Sequence, residues 1–110
     1  EWVKGFCMKA CLPASKANIN AGKKLFHETA QPLACKQCHG EQGDGRGPLG
    51  GGLVPPPRNF TCGQTMNDLS DGQLFWIIKK GSTGTGMMAF GGLPDNQVWQ
   101  LIQYIRTLAR

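Results

Sequence analysis

Apolar positions in this chain fall into three helical patches separated by long stretches without any period. Ile19, Gly22, Leu25 and Phe26 recur at helical spacing, and Asn18 ahead of them suits an N-cap, which predicts a helix from there to about Glu28. Leu74, Phe75, Ile77 and Ile78 form a second patch. Ser70 and Gln73 before it read as a capping box and Gly81 after it as a stop, so a short helix is expected over about 71–80. The last patch is the clearest: Val98, Leu101, Ile102, Ile105 and Leu108 repeat at threes and fours. Pro94 suits the first turn of that helix, and Asp95 favours its positive end. No segment alternates as a strand would, and no internal repeat is visible. The expected class is therefore all-α: a few short helices and long loops. Residues 1–17 mix aromatics, cysteines and lysines without a period and read as an N-terminal extension, packed by Trp2, Val3 and Phe6 onto a body of residues 18–110.

Composition sharpens the loops. The 110 residues include 16 Gly and 7 Pro, too many for a fold of long regular elements. Most of the glycines sit in GEQGDGRGPLGGGLVPPPRNF, residues 40–60, and in the stretch from Gly81 to Gly92. A loop this long in a small domain usually has a function. Within it Gly45–Gly50 fits the dinucleotide pattern G-x-G-x-x-G, but no strand precedes it and Pro48 has no N–H to give a phosphate, so that reading is set aside. The net charge of +5 suggests steering toward an acidic protein partner. The basic residues are scattered and no recognition motif accompanies them, which argues against nucleic acid. No apolar run is long enough to span a bilayer. The first residue is Glu1, and the expectation is an exported, processed chain.

The strongest chemical signal is Cys35-Lys36-Gln37-Cys38-His39. Two thiols three residues apart can each form a thioether to one vinyl group of the same porphyrin, and the following histidine is then held where its Nε2 reaches the iron. This is the attachment signature of haem c, and it implies one covalent haem. A zinc site would need a second Cys/His pair at zinc-like spacing, which Cys7, Cys11, Cys62 and His27 do not provide. For the sixth iron position the residues leave Met87, Met88, His27, a cysteine or an open site. The two methionines lie in a Gly-rich loop, and a thioether ligand favours Fe(II) and a high potential. His27, twelve residues before His39, reads as an ordinary surface or half-buried histidine.

On these residues the chain resembles the class I monohaem cytochromes c, small bacterial electron carriers, over residues 18–110. Besides the attachment motif, Gly22 and Phe26 are similar to the first-helix pair of that family. Leu101 and Tyr104 look like the last-helix residues that cross it. The segment Gly86-Met87-Met88-Ala89-Phe90 resembles the family's G-M-P-A-F ligand loop, which implies Met87 as the ligand and leaves Met88 as second choice. Pro48 resembles the proline whose carbonyl accepts the haem histidine's Nδ1–H, and Arg58, in PPPRNF, is implied as a propionate partner. The resemblance implies the cytochrome c fold, with haem c bound by Cys35, Cys38, His39, Pro48, Arg58 and Met87.

It also implies a periplasmic electron carrier, not an enzyme, that exchanges electrons with donor and acceptor proteins over the haem edge. Lys36, Lys79 and Lys80 are candidates for a basic rim there. Because haem c is attached where disulfides persist, a bridge from Cys62 to Cys7 or Cys11 is expected. Two other functions are weighed: an open-iron haem enzyme or gas sensor, and a fixed electron-wire subunit docked through its extension.

Overall fold

A computed structural model describes residues 15–82 and 84–109. Trp2, Val3, Phe6, Cys7 and Cys11, which carried the expectations for the extension, lie outside the described residues. The described chain is helical and contains no strand. Helix α1 spans Lys16–Lys24 and continues as a wider turn of π-helix, Leu25–Thr29. Helix α2 is Lys36–His39, α3 is Gly63–Asn67, α4 is Asp71–Lys80 and α5 is Asp95–Leu108. Among these residues no helix is long and apolar enough to cross a membrane.

Helix α1 starts earlier than its apolar pattern implies. Ser15 is the cap: its backbone is extended and its Oγ accepts from the Asn18 N–H at 3.1 Å. Asn18 instead sits inside the helix, and its Oδ1 accepts from Gln100 Nε2 on α5 at 3.2 Å. The π turn closes on Ala30 N–H to Leu25 C=O, and Leu25 and Phe26 are both buried.

Helices α1 and α5 cross in close contact. A Cβ built on Gly22 would lie 2.0 Å from the Gln100 carbonyl oxygen and 3.0 Å from Tyr104 Cβ. Only glycine allows this approach. One turn on, Phe26 meets Tyr104 edge to face at 5.4 Å, and His27 Nε2 lies 3.2 Å from the Tyr104 hydroxyl. Leu101, Val98 and Ile102 fill the space beneath.

Helix α4 has the anticipated ends. Ser70 Oγ accepts from Gln73 N–H at 3.1 Å and Gln73 Oε1 accepts from Ser70 N–H at 2.8 Å, a complete capping box. Gly81 terminates it at φ 77°. Pro94 is the cap of α5 and Asp95 its first residue. Lys79 ties these two ends together: its Nζ donates to the Leu93 carbonyl at 2.7 Å and pairs with Asp95 at 3.0 Å. Arg106 holds the other end of α5, donating to the Met66 and Leu69 carbonyls and pairing with Asp71 at 2.8 Å.

The long loop after α2 folds back on it. Gly45 N–H donates to His39 C=O, Gly47 N–H to Cys38 C=O and Leu49 N–H to Gln37 C=O, at 2.7, 3.0 and 2.7 Å. Phe60 N–H then donates to Gly43 C=O at 2.6 Å. Irregular backbone is thus satisfied without a sheet. Helix α3 was not foreseen, because five residues give no period to read.

Candidate functional site

A cavity of about 600 Å³ opens between the folded-back loop, α3, α4, α5 and the loop of residues 81–92. Its size is that of a site for a sizeable organic ligand. Leu74, Ile77, Ile78 and Ile105 line the helical side, while Leu53, Pro55, Pro56 and Pro57 line the loop side. His39, Arg58, Cys62, Thr65 and Met87 bring the polar and metal-binding chemistry. A smaller space of about 50 Å³ adjoins it, lined by Leu33, Ala34, Cys35, Cys38 and Met88, and shares His39, Phe60 and Met87 with the larger one.

Helix α2 presents the attachment motif. Cys35 caps it and Cys38 lies one turn on, so both reach the same face. Burial pushes the Cys35 thiol up to about 12, which keeps it neutral. His39 is held on two sides. Its ring stacks on Phe60 at 4.3 Å with planes 19° apart, and its Nδ1 lies 3.1 Å from the Arg58 carbonyl. A carbonyl can only accept, so Nδ1 carries the proton and the Nε2 lone pair is free to bind a metal. Burial lowers the His39 pKa, opposed by the hydrogen bond to Arg58 and aided by the Arg58 charge. The imidazole is neutral, as ligation requires.

Pro48 does not fill the role its resemblance implied. It is exposed and off the cavity wall. The turn at 47–50 spends its contacts on the α2 carbonyls, where a Cβ on Gly47 would lie 2.5 Å from the oxygens of both Lys36 and Gln37. The PPPRNF segment passes His39 instead, and the Arg58 carbonyl takes the bond. The Arg58 side chain is exposed at the cavity edge.

The two methionines separate. Met87 is half-buried, packs on the core and lines both spaces. Met88 is 40% exposed and touches only the smaller one. The loop aims Met87 through its own backbone: Met87 N–H donates to Thr85 Oγ1 at 3.1 Å, and its carbonyl accepts from Ser82 N–H at 3.2 Å. His27 is half-buried against Tyr104, off both walls.

Cys62 is a free thiol; Cys7 and Cys11, to which a bridge was expected, lie outside the described residues. Its Sγ lies 3.2 Å from Thr65 Oγ1, a contact that lowers its pKa. Of the lysines expected at a basic rim, Lys79 is engaged with Leu93 and Asp95, Lys36 approaches Glu41 at 3.9 Å and Lys80 lies over the Trp76 ring at 5.6 Å. Phe60, the stacking partner of His39, carried no sequence signal beyond its place in PPPRNF.

A porphyrin fits this donor set. The cavity is apolar on both broad sides and has the neutral His39 imidazole and Met87 on its wall, and Cys35 and Cys38 line the smaller space that adjoins it.

Comparison with known proteins agrees. Residues 17–105 match the family described as cytochrome c oxidase, cbb3-type, subunit III. A chain of the reducing HAO-like protein complex of Kuenenia stuttgartiensis is 29% identical and superposes with a TM-score of 0.74, covering 90% of this chain and 47% of that one. This chain thus spans about half the length of that relative. No curated protein matches it.

Proposed function

The chain belongs to the cbb3-type cytochrome c oxidase subunit III family of cytochrome c domains, and from that premise we propose that it is an extracytoplasmic electron carrier with one haem c. Cys35 and Cys38 hold the group by thioethers, His39 Nε2 and Met87 Sδ bind the iron, and Arg58 pairs with a propionate. When bound, haem c supplies a one-electron Fe(II)/Fe(III) couple. Everything else falls to the polypeptide. The Arg58 carbonyl and the Phe60 ring fix the His39 imidazole, which keeps its orientation and basicity constant through the redox cycle. Leu74, Ile77, Ile78 and Ile105 exclude water and favour the less charged state. Met87 would hold the iron together with His39 and shut out exogenous ligands, which supports a protein that transfers electrons and catalyses no reaction of its own. The relative's place in a complex supports work between protein partners.

The observation that carries this reading is the presence of His39, with Nε2 free, and Met87 on one cavity. The test is the absorption spectrum of the purified holoprotein, oxidised and reduced, before and after CO. A low-spin haem c with the weak far-red Met–iron band, unmoved by CO, is expected. Met87→Ala removes the far-red band and lets CO bind, whereas Met88→Ala keeps the band. A high-spin wild-type spectrum that shifts with CO would replace the carrier by an open-iron enzyme or sensor.

A further inference from the structure

The approach to Met87 is poor in residues that fix a backbone by themselves. Gly84, at φ 83°, and Gly86 stand on either side of Thr85, and a glycine-flanked residue has a wide choice of conformations when nothing holds it. Here the Thr85 hydroxyl holds it. Its Oγ1 donates to the Ser82 carbonyl at 2.7 Å and accepts from the Met87 N–H at 3.1 Å. The Thr85 N–H reaches the same Ser82 carbonyl at 3.1 Å, and the Ser82 N–H donates to the Met87 carbonyl at 3.2 Å. One hydroxyl thus links the residue after the stop glycine of α4 to Met87. A hydroxyl gives and takes a hydrogen bond at once, which a methyl in its place cannot. Leu53 packs against the same segment at Gly86, where a Cβ would lie 2.7 Å from Leu53 Cδ2. That apolar contact limits the space but sets no direction.

We infer that the Thr85 hydroxyl is the positioning group that aims Met87 into the cavity, and so decides how readily a small neutral ligand displaces it. The inference rests on the electron-carrier reading, in which Met87 Sδ binds the iron. Thr85 and Met87 line the same cavity, and the bond to the Met87 N–H fixes the ligand's own backbone. Without the hydroxyl, the Ser82 carbonyl keeps its bond from the Thr85 N–H, and water can satisfy the Met87 N–H in this exposed loop. The loop therefore stays folded. What it loses is the preference for the one backbone conformation that points Met87 inward. The net worth of such bonds corresponds to a few-fold to about tenfold in an equilibrium.

The probe is imidazole, titrated against the oxidised holoprotein, because thioether ligation favours Fe(II) and is weaker in Fe(III). Binding is read as loss of the far-red Met–iron band. Thr85→Val keeps the branched shape, removes the hydroxyl and raises imidazole affinity by about threefold to tenfold. Thr85→Ala, which also lacks the hydroxyl, gives a similar rise. Thr85→Ser keeps the hydroxyl and stays within about twofold of wild type. Thr107→Val deletes a hydroxyl that donates to the Tyr104 carbonyl at 2.6 Å, off the cavity wall, and also stays within about twofold. In a Met87→Ala background, where the Soret band reports imidazole instead, Thr85→Val adds no more than about twofold. Wild-type affinity in Thr85→Val, a Thr85→Ser that follows Thr85→Val, an equal rise in Thr107→Val, or a rise that persists without Met87 overturns the positioning role and leaves Met87 as the ligand. A wild-type protein with no far-red band overturns Met87 ligation itself, and the positioning role with it.

Discussion

The α1/α5 crossing and the loop wall of the cavity solve the same packing problem with opposite means. At the crossing, two regular helices meet through one missing side chain, Gly22, and the contact is locked by Phe26, Tyr104 and His27. At the wall, irregular backbone lies on irregular backbone, and single hydrogen bonds from Gly45, Gly47 and Leu49 hold it to α2. The crossing holds none of the proposed haem ligands. The wall carries Met87 and positions His39 through the Arg58 carbonyl and Phe60, while Cys35, Cys38 and His39 themselves stand on α2. Rigidity is therefore concentrated away from the chemistry, and the chemistry sits where local adjustment is cheap.

Substituting one glycine in each region sharpens this contrast. Gly22→Ala places a methyl 2.0 Å from the Gln100 oxygen, between two helices that cannot separate locally. A loss of about 3 kcal/mol or more in holoprotein stability is expected from denaturant titration, the upper end for overpacking. Gly47→Ala meets two carbonyl oxygens at 2.5 Å, but it sits in a loop that can shift by itself. A loss of about 1–2 kcal/mol is expected there. It is accompanied by a change in reduction potential that Gly22→Ala does not show where both remain folded, because the shift passes through α2 to His39. Equal stability losses, or a potential change in Gly22→Ala alone, would break the division between the two regions.

The smallest effect belongs to His27 at the crossing. Burial, with help from Lys36 and Lys23, lowers its pKa below 6.5 in the folded state. As pH falls through the unfolded value, the unfolded chain takes up a proton that the folded chain refuses. Stability therefore declines from that point and levels off below the folded pKa. The sequence has two histidines, and if His39 binds an iron as proposed, His27 is the one left to titrate. His27→Gln should flatten the fall in melting temperature between about pH 7.5 and pH 5. An equally steep fall in that variant would assign the acid sensitivity to other groups.

What the sequence revealed follows from how each feature is encoded. Helix α4 was legible to the residue because Ser70, Gln73 and Gly81 mark its ends with side-chain and backbone chemistry specific to helix termini. The attachment motif was legible because its spacing is itself the chemistry. The α1 start was misplaced because Ser15 and Asn18 are both good caps, and only the tertiary bond from Gln100 decides between them. The His39 partner was misassigned because the acceptor is a backbone carbonyl. Any residue offers one, so only the path of the chain could select Arg58 over Pro48.

The clasp that Lys79 makes with Leu93 and Asp95 has a consequence for ligand lifetime. Together with Phe90 N–H on the Ile78 carbonyl at 2.8 Å, it anchors both ends of the methionine loop to helices that are themselves fixed. Were Met87 Sδ to bind an iron as proposed, a detached sulfur would have only a few residues of slack in which to wander. Its effective concentration near the metal would stay high, so recapture would compete well with water or an incoming small molecule. Tethering of the loop would then guard that ligand without requiring a strong iron–sulfur bond.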